Sequence, residues 1–538
     1  MPRTTLVAVT VTFLVAVGGA CAATPHYAPA AATYYVSPHG DDGASGSSAD
    51  EAWRSLARAE RVTLHPGDRL LLEGGTRIPG NVTVDSKEAG DANRPVVIGS
   101  YGSGHATIDA TDTPGISVHD TAGVEIRDLT LTGQGAARTD EAGVNLYNDL
   151  PAGGRQDHVT VSDVDVSGFR VGIAVGSTTG TAGFKDVTIR QAVLHDNKDV
   201  GLLTYGPDFD PARRTYPHEN IDIKGVEAYD NHGDPAAHDR HTGNGIILGG
   251  VRHATLRDSS AHDNGDRSAT NATAGPVGLW TYDSTDVLIE HSASYRNHTG
   301  SGVDGAGFGL DSNVSDSRVQ YNLSFQNDGS GYYVFTRYRN GAHTGNTIRY
   351  NISVDDARKL PRHGALTVYG QAVRDLDVYQ NTVVLSHSPA GRGPAVLLRD
   401  GNTGVRIRNN LLVTDGEPFV SADSELAASK VSLQGNDYYA PKGRWTVNWG
   451  GRSYTDLPTW RAGTGQERVG QEATGLTADP CFEGDRLPEL GSPQDAHLVT
   501  PGCSLDGLDL RALGIDPGTV DYFGRDVGDL PNVGAVQP

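Results

Sequence analysis

The chain has 538 residues, including 69 glycines and three cysteines, and charged residues make up 20% of it. Glycine is about twice as frequent as the usual ~7%, but it has no Gly-X-Y period and the charged fraction is ordinary, which argues against collagen and a wholly disordered chain. The formal net charge of −22 opposes binding to nucleic-acid phosphates, which needs a basic surface, so we expect no nucleic-acid partner.

Residues 1–22 have the pattern of a secretory signal peptide. Arg3 supplies a positive charge, residues 6–17 are apolar, and Ala20-Cys21-Ala22 fits the small-x-small cleavage pattern. The Gly-Gly-Ala-Cys sequence also resembles a bacterial lipoprotein cleavage box, although it lacks the usual aliphatic residue. We therefore predict a secreted protein, with a lipid anchor at Cys21 as the alternative. We expect no membrane span, because the apolar segment is too short.

Residues 23–94 are interpreted as a linker and an N-terminal cap. Within them, residues 49–61 place Trp53, Leu56 and Ala57 at helical spacing. A short amphipathic helix here would cover the open hydrophobic end of a repetitive fold, which such folds require.

From about residue 95 a short phrase recurs, in which a small residue and a glycine precede alternating apolar positions. Successive phrase glycines are 24 to 44 residues apart. A second short segment with alternating apolar residues recurs at a similar spacing and ends near an asparagine in each repeat. The phrase glycines are Gly143, Gly172, Gly201, Gly245, Gly278, Gly307, Gly331 and Gly364, and the asparagines are Asn197, Asn231, Asn264, Asn297 and Asn327.

Short period-2 segments with glycine and asparagine between them predict a coil of strands rather than helical repeats. Such a coil buries its inward residues only by stacking on its own copies, so residues 95–440 are predicted to form a parallel β-helix of about ten rungs. We expect glycine to supply corners with positive φ and the asparagines to form a hydrogen-bonded ladder.

The remaining residues, 441–538, are predicted to be an irregular C-terminal cap. Leu457-Pro458-Thr459-Trp460 begins a small amphipathic turn in this segment. It also contains Cys481 and Cys503, the pair that remains after signal cleavage, and we expect a disulfide between them in an extracellular protein.

Several motifs resemble the secreted pectate-lyase-like right-handed parallel β-helix proteins. They are Thr33-Tyr34-Tyr35-Val36-Ser37-Pro38, Gly40-Asp41-Asp42-Gly43, Trp53-Arg54-Ser55-Leu56, Pro66-Gly67-Asp68 and, near the end, Asp521-Tyr522-Phe523-Gly524-Arg525. The resemblance implies an all-β, single-stranded right-handed parallel β-helix and a carbohydrate-active protein. It does not select a reaction, because that superfamily contains lyases, hydrolases, epimerases and non-catalytic adhesins.

Alternation places an unusual number of aromatic residues on the outer face of the rungs. These are Tyr147, Tyr205, Trp280, Tyr282, Tyr333 and Phe335. Exposed aromatic faces along a groove hold sugar rings, so we predict a sugar-binding platform. The alternative is that a loop or the C-terminal segment covers these rings. The long interval between Gly201 and Gly245 contains residues 207–215 and 232–241, which we expect to wall this face.

Three aspartates fall in the middle of the aromatic face. Asp311 takes an outward position, Asp283 is 28 residues earlier, nearly one coil away, and Asp304 is at the corner that leads into the Asp311 strand. Paired carboxyl groups beside aromatic rings are the arrangement of glycoside hydrolysis, in which one acts as acid and the other attacks or activates water. We therefore predict a glycoside hydrolase with Asp311, Asp283 and Asp304 as catalytic residues, without a required cofactor or metal. Aspartates that only cap turns are the alternative interpretation.

Two further functions remain open. A polysaccharide lyase would use Lys198, Arg337 or Arg339 as base and Ca²⁺ to neutralise a uronate. Lys198 and Arg337 would otherwise bind substrate, and Arg337 could hold a substrate carboxylate. A non-catalytic glycan-binding β-helix is the third possibility. In each case the predicted partner is a polysaccharide or oligosaccharide, and the protein is expected to be a monomer.

Overall fold

The computed structural model describes residues 30–538 except 111–112, 136–139, 152 and 389–392. The predicted signal peptide and Cys21 therefore lie outside the described residues. The described chain is an all-β solenoid in which each coil pairs in parallel with the next, and its strands form two long sheets. In the part of the chain that the structure describes, no helix is long and apolar enough to span a membrane.

Sheet 1 contains 24 strands. They are Thr33–Val36, Arg69–Glu73, Arg77–Pro79, Val96–Tyr101, Ala106–Asp109, Val124–Thr132, Arg155–Ser167, Gly183–His195, His218–Lys224, Glu227–Tyr229, Val251–Arg257, Ser260–His262, Thr285–Glu290, Ala293–Tyr295, Arg318–Gln320, Leu323–Phe325, Thr347–Arg349, Ile352–Val354, Arg374–Tyr379, Thr382–Leu385, Thr403–Arg408, Leu411–Thr414, Val431–Gln434 and Asp437–Tyr439.

Sheet 2 contains 14 strands, of which the last is antiparallel. They are Val82–Val84, Ile116–His119, Ala142–Tyr147, Val171–Gly176, Val200–Tyr205, Asn244–Gly249, Val277–Tyr282, Ala306–Leu310, Tyr332–Thr336, Leu366–Gly370, Val396–Leu398, Val420–Ala422, Val447–Trp449 and Arg452–Tyr454. A separate hairpin pairs Arg468–Val469 with Glu472–Ala473.

The solenoid has about 13 turns rather than the ten predicted. Strands of sheet 2 also lie outside residues 95–440, at Val82–Val84 and Val447–Trp449, and these do not contain the small-glycine phrase. Inside the coil the predicted alternation is confirmed. Val144, Leu146, Leu279 and Phe308 are at most 1% exposed and pack in one continuous core.

The phrase glycines are required for space and not for a positive φ. None of the phrase glycines has a positive φ, whereas many corners with positive φ are occupied by aspartate, for example Asp283 and Asp304. A Cβ atom on Gly172 would lie 2.5 Å from the carbonyl oxygen of Gly201, and one on Gly201 would lie 2.8 Å from that of Gly245. Glycine at the phrase positions therefore allows neighbouring coils to approach, whereas other glycines, such as Gly168, Gly250 and Gly305, do supply corners with positive φ, as expected.

Asparagine ladders connect the coils inside the solenoid. The predicted ladder is present, with side-chain amide to side-chain oxygen distances of 2.8–3.1 Å, and it ends on the carboxylate of Asp356. A second ladder, which the sequence analysis did not identify, ends on Glu467. Its members are Asn322, Asn351, Asn381, Asn410 and Asn436. Each amide donates to the next oxygen, so the last position needs only an acceptor, which a carboxylate provides.

The N-terminal cap contains a 3₁₀ turn at Ala49–Glu51 and a short helix at Leu56–Ala59, rather than one longer helix. Trp53 and Leu56 are buried as predicted, but Ala57 is exposed and Ala59 takes the buried position. At the other end, the helix Leu457–Thr464 begins after Asp456, whose side chain accepts from the Thr459 N–H at 2.8 Å, and buries Trp460 against the last coil.

The C-terminal segment runs along the outside of sheet 1. It includes 3₁₀ turns at Glu483–Asp485 and Pro493–Val499. Phe482, Val499 and Val533 pack with Tyr295 and Phe325 of sheet 1. The predicted disulfide between Cys481 and Cys503 is confirmed, with 5.4 Å between the Cα atoms. The segment therefore lies on a different sheet from the aromatic face of sheet 2.

Candidate active site

The outer face of sheet 2 contains a cavity of about 610 Å³, a size typical of small-ligand sites. Eight of the predicted site residues line it, including all three predicted catalytic aspartates. These eight are Asp283, Asp304, Asp311, Trp280, Tyr282, Tyr333, Phe335 and Arg337. The cavity is also lined by His241, which lies in the predicted wall segment 232–241.

Strand register brings these groups together. Thr281 pairs with Leu310, so Asp311, which follows Leu310, lies beside Tyr282 of the preceding coil. The Asp311 N–H donates to the Thr281 carbonyl at 2.9 Å, and the Asp283 N–H donates to the Ser312 carbonyl at 2.8 Å. Asp283 and Asp311 therefore end neighbouring strands, as predicted from their spacing.

Glycines make room for the tyrosine rings on this face. A Cβ atom on Gly309 would lie 2.3 Å from the ring of Tyr333, and one on Gly249 would lie 2.3 Å from the ring of Tyr282. Each ring thus lies across the backbone of the coil before it. This close approach directs the Tyr333 hydroxyl to Asp311, to which it donates at 3.2 Å.

Asp311 has more stabilising neighbours than the other two carboxyl groups. It accepts hydrogen bonds from the Ser312 N–H and the Tyr333 hydroxyl, and the charge of Arg337 acts on it. Burial raises its pKa, and these three neighbours oppose the rise.

Asp304 is the least compensated of the three. It lies at a corner with φ of 55°, and its carboxylate accepts from the Gly275 N–H at 2.8 Å. Burial raises its pKa to about 7, and the negative charge of Asp311 acts in the same direction. A carboxyl group of this kind holds a proton near neutral pH.

Asp283 is held by an amide network. Asn313 donates to its carboxylate at 2.6 Å and itself accepts from Asn340 at 2.8 Å. Burial raises the pKa of Asp283 to about 6, the Asn313 bond lowers it, and the charges of Asp311 and Asp208 raise it. Within the described chain, no ion pair joins any of the three aspartates to a basic side chain.

The same corner in the next coil shows the opposite environment. Gly307 and Gly331 hold equivalent positions, because Phe308 pairs with Tyr332, and therefore Asp328 corresponds to Asp304. Asp328 lies 3.3 Å from Lys359, 3.4 Å from Arg358 and 3.5 Å from His298. Although burial raises its pKa, its hydrogen bonds to His298 and the Thr299 N–H and the nearby positive charges lower the pKa to about 2.

The aromatic rings differ in exposure from what the sequence predicted. Trp280 and Tyr333 are each only 6% exposed, because neighbouring coils enclose them and His241 packs edge-on against Trp280 at 5.1 Å. The exposed rings at the cavity are instead Tyr338, 40% exposed, and Tyr369, 38% exposed. The sequence analysis missed both. Tyr369 occupies the outward position that pairs with Phe335 in the next coil, which the repeat could have indicated.

Two predicted substrate-binding residues lie outside the cavity lining. Lys198 donates to Asp140 at 2.7 Å, across a corner of earlier coils. Tyr205 packs in the apolar cluster of the outer face, with its ring across Gly176. Arg339, a lyase candidate, donates to Gln371 at 2.8 Å.

Two histidines at the cavity are neutral at neutral pH. Burial lowers the pKa values of His241 and His363 to about 4 each. Among the described residues, one group with potential metal-ligand spacing, His119, Asp120 and Asp149, lies in other coils of sheet 2 and does not line this cavity.

Comparisons with known proteins agree with this architecture. Residues 152–315 match the family model described as a right handed beta helix region. A lacto-N-biosidase of Bifidobacterium longum subsp. longum is 22% identical over 480 residues. That match covers 71% of this chain and only 29% of the relative, so the chain spans less than a third of that protein.

A solved structure shows the same fold. The crystal structure of a GH136 lacto-N-biosidase from Eubacterium ramulus superposes with a TM-score of 0.50 at 18% identity, covering 72% of this chain and 65% of that one. Pectate lyase Pel9A has a TM-score of 0.35 at 16% identity, covering 94% and 96% of the two chains. The right-handed parallel β-helix fold predicted from the sequence is confirmed.

Proposed function

We propose that the protein is a carbohydrate-active enzyme that hydrolyses glycosidic bonds in an oligosaccharide or polysaccharide. The observation that carries the proposal is the group of three carboxyl groups in one open cavity, with raised pKa values and with no ion pair to a basic side chain among the described residues. The 22% identity with a lacto-N-biosidase supports hydrolysis as the reaction class.

The environments of the carboxyl groups suggest distinct roles. Asp304, with a pKa of about 7, is the proposed general acid that protonates the glycosidic oxygen as the bond to the anomeric carbon breaks. Asp311, which has the hydrogen-bond donors and the nearby Arg337, is the proposed carboxylate that attacks the anomeric carbon or removes a proton from water. If Asp311 attacks, it forms a glycosyl ester, which water then cleaves as its proton passes to the deprotonated Asp304. If Asp311 activates water instead, it takes the water proton itself, and in both routes the hydroxyl group ends on the sugar.

Asp283 is proposed to orient the substrate or to share the acid role, because its pKa is about 6 and Asn313 fixes its position. Tyr338 and Tyr369 are proposed to stack on sugar rings at the open rim, and Arg337 to contact the substrate there. Acid–base chemistry of this kind requires no cofactor. We further propose a secreted monomer, and the disulfide is consistent with an extracellular location.

The test is a reducing-end assay with a panel of neutral and acidic oligosaccharides and polysaccharides. Once a cleaved glycan is found, Asp304→Asn, Asp311→Asn and Asp283→Asn are compared with Asp328→Asn, which changes the equivalent corner outside the cavity. We expect large losses for Asp304→Asn and Asp311→Asn and a small effect for Asp328→Asn. Full activity of both Asp304→Asn and Asp311→Asn would place the site elsewhere.

A lyase is the second candidate, since Arg337 is a basic side chain at the cavity. β-Elimination would give an unsaturated product that absorbs in the near ultraviolet, and the calcium-dependent form would lose rate in a chelator. New reducing ends without either signal support hydrolysis. Saturable glycan binding without new reducing ends would instead indicate a non-catalytic protein.

A further inference from the structure

A second cavity, of about 670 Å³, lies on sheet 1 where the cover of the C-terminal segment ends. One wall comes from residues 491–494 and Tyr522, and the floor comes from the strands Ser260–His262 and Ala293–Tyr295. It shares no lining residue with the cavity that contains the aspartates. We call it the side groove.

Two columns of stacked rings border the floor. In the first, His262 stacks on Tyr295 at 4.7 Å and Tyr295 stacks on Phe325 at 4.6 Å between ring centres. In the second, His291 stacks on Tyr321 at 5.1 Å. Between them the outward positions hold the small residues Ser260 and Ala293, which pair across neighbouring coils. The floor is therefore low and its borders are rigid.

The C-terminal segment covers the later rings of both columns. Leu490 and Val499 pack in one cluster with Tyr295 and Phe325, and Leu510 and Val527 pack with Tyr321. At the groove, by contrast, His291 is exposed. The strand register Arg257↔Glu290 places Asp258, not another ring, beside His291 in the preceding coil. One face of the His291 ring is thus not covered by a stacked ring.

Charged groups at the groove are already paired within the protein. Arg296 donates two hydrogen bonds to Asp263, at 2.8 and 2.9 Å. Glu227 contacts His262 at 3.2 Å, and Asp258 lies 3.5 Å from Lys224. An ionic ligand would have to compete with these pairs, whereas hydroxyl groups can bond to the partly exposed carboxylates, Ser260 and His291 without displacing a charge.

We propose that the side groove is a second, non-catalytic binding site for a neutral glycan chain, which holds a polymeric substrate on the protein while another part of the chain is cleaved. The groove has a low floor between stacked rings, and one ring face is open to a ligand. Its polar groups can bond to hydroxyl groups, and its charged groups are already paired. These features fit a sugar chain better than an ion or a nucleic acid. The tethering role rests on the proposed function, but glycan binding itself does not.

The test is affinity electrophoresis in gels that contain laminarin, xyloglucan, galactomannan or arabinogalactan. Ser260→Trp fills the floor of the groove, and Ser432→Trp is the matched control. Both serines are partly exposed residues on strands of sheet 1. We expect at least one polymer to slow the wild type and Ser432→Trp equally, and Ser260→Trp to show an apparent dissociation constant about tenfold higher. His291→Ala should weaken binding by a smaller factor.

The catalytic readout separates the two proposals. Ser260→Trp should retain the wild-type kcat on a short soluble substrate, and Asp304→Asn should still be slowed by the polymer. The side-groove proposal is overturned if none of the four polymers slows the wild type, or if Ser260→Trp is slowed as strongly as the wild type. If Ser260→Trp loses binding while no glycan is cleaved by the wild type, the groove stands and the hydrolase proposal fails.

Discussion

Carboxyl groups with raised pKa values lie both at the ends of the asparagine ladders and in the cavity on sheet 2, and the two places can be compared. Asp356 ends one ladder with a pKa raised to about 6, close to the value of about 6 for Asp283. It accepts hydrogen bonds from the N–H and side-chain amide of Asn327 and from Ser353, at 2.6–3.0 Å. Asp304, in the cavity, accepts a single hydrogen bond, from a backbone N–H. A raised pKa is therefore common to both places, and unfilled hydrogen-bonding capacity beside an open cavity is what distinguishes the candidate site.

A second contrast separates two equivalent corners. Asp304 and Asp328 hold the same position in adjacent coils, yet their pKa values are about 7 and about 2. The difference arises because Lys359, Arg358 and His298 surround Asp328. The Asp328 carboxylate thus binds basic side chains from other segments of the chain, whereas the Asp304 carboxylate, in the preceding coil, is available to a ligand.

The largest expected effect comes from removing the proposed acid. Asp304→Asn should lower kcat/KM by about 10³-fold, because the amide cannot donate the proton of the carboxyl group. Steady-state kinetics on the cleaved glycan measure the loss, with Asp328→Asn as the matched control. Equal losses in the two variants would show that the corner is structural in both coils.

A substitution in the asparagine ladder should change the stability of the protein rather than its activity. Asn297→Ala removes the amide between Asn264 and Asn327 and leaves their buried partners unsatisfied, which should lower the free energy of unfolding by about 3 kcal/mol. Denaturant unfolding measures the change, and the kcat of the folded fraction should remain close to that of the wild type. A variant as stable as the wild type would contradict the role of the ladder.

The pH dependence of stability should distinguish the cavity from its neighbouring corner. The pKa of Asp304 is raised in the folded state, so its contribution to stability is full below about pH 4 and is lost as the pH rises through about 7. Asp304→Asn removes this loss. The melting temperature of the variant minus that of the wild type should therefore increase from pH 4 to pH 8. Asp328 has a pKa lowered to about 2, so its contribution to stability is full above about pH 4 and is lost as the pH falls through about 2. Thermal melts of Asp304→Asn at pH 4 and pH 8, and of Asp328→Asn at pH 2 and pH 5, test these opposite signs.

The smallest expected effect is at the rim. Tyr369→Ala removes an exposed ring at the cavity, and KM should rise about threefold to tenfold with little change in kcat, as for a lost stacking contact. Tyr439→Ala, on sheet 1, is the control for loss of a tyrosine from the solenoid. An unchanged KM would remove Tyr369 from the proposed platform.

Local repetition made much of the molecule predictable. The alternation of residues such as Val144 and Leu146, the ladder from Asn197 to Asn327 and the shared face of Asp283 and Asp311 all follow from the period of one coil. The second ladder and Tyr369 follow the same period, and Tyr369 follows the phrase at Gly364, so the repeat could have indicated both. Glycines at positive-φ corners, such as Gly168 and Gly250, were expected, but the role of the phrase glycines was not, because a short distance between coils is not visible in a single strand.

The sequence by itself determined the coil, its inward residues and the face that carries the three aspartates, since each depends on residues within one or two neighbouring repeats. Only the tertiary structure decided which groups on that face are open. Trp280 is buried by His241 from an insertion, Asp328 is neutralised by residues some 30 positions away, and the C-terminal segment covers sheet 1 and stops at the side groove. Exposure and charge pairing depend on contacts between distant segments, which the period of a repeat does not encode.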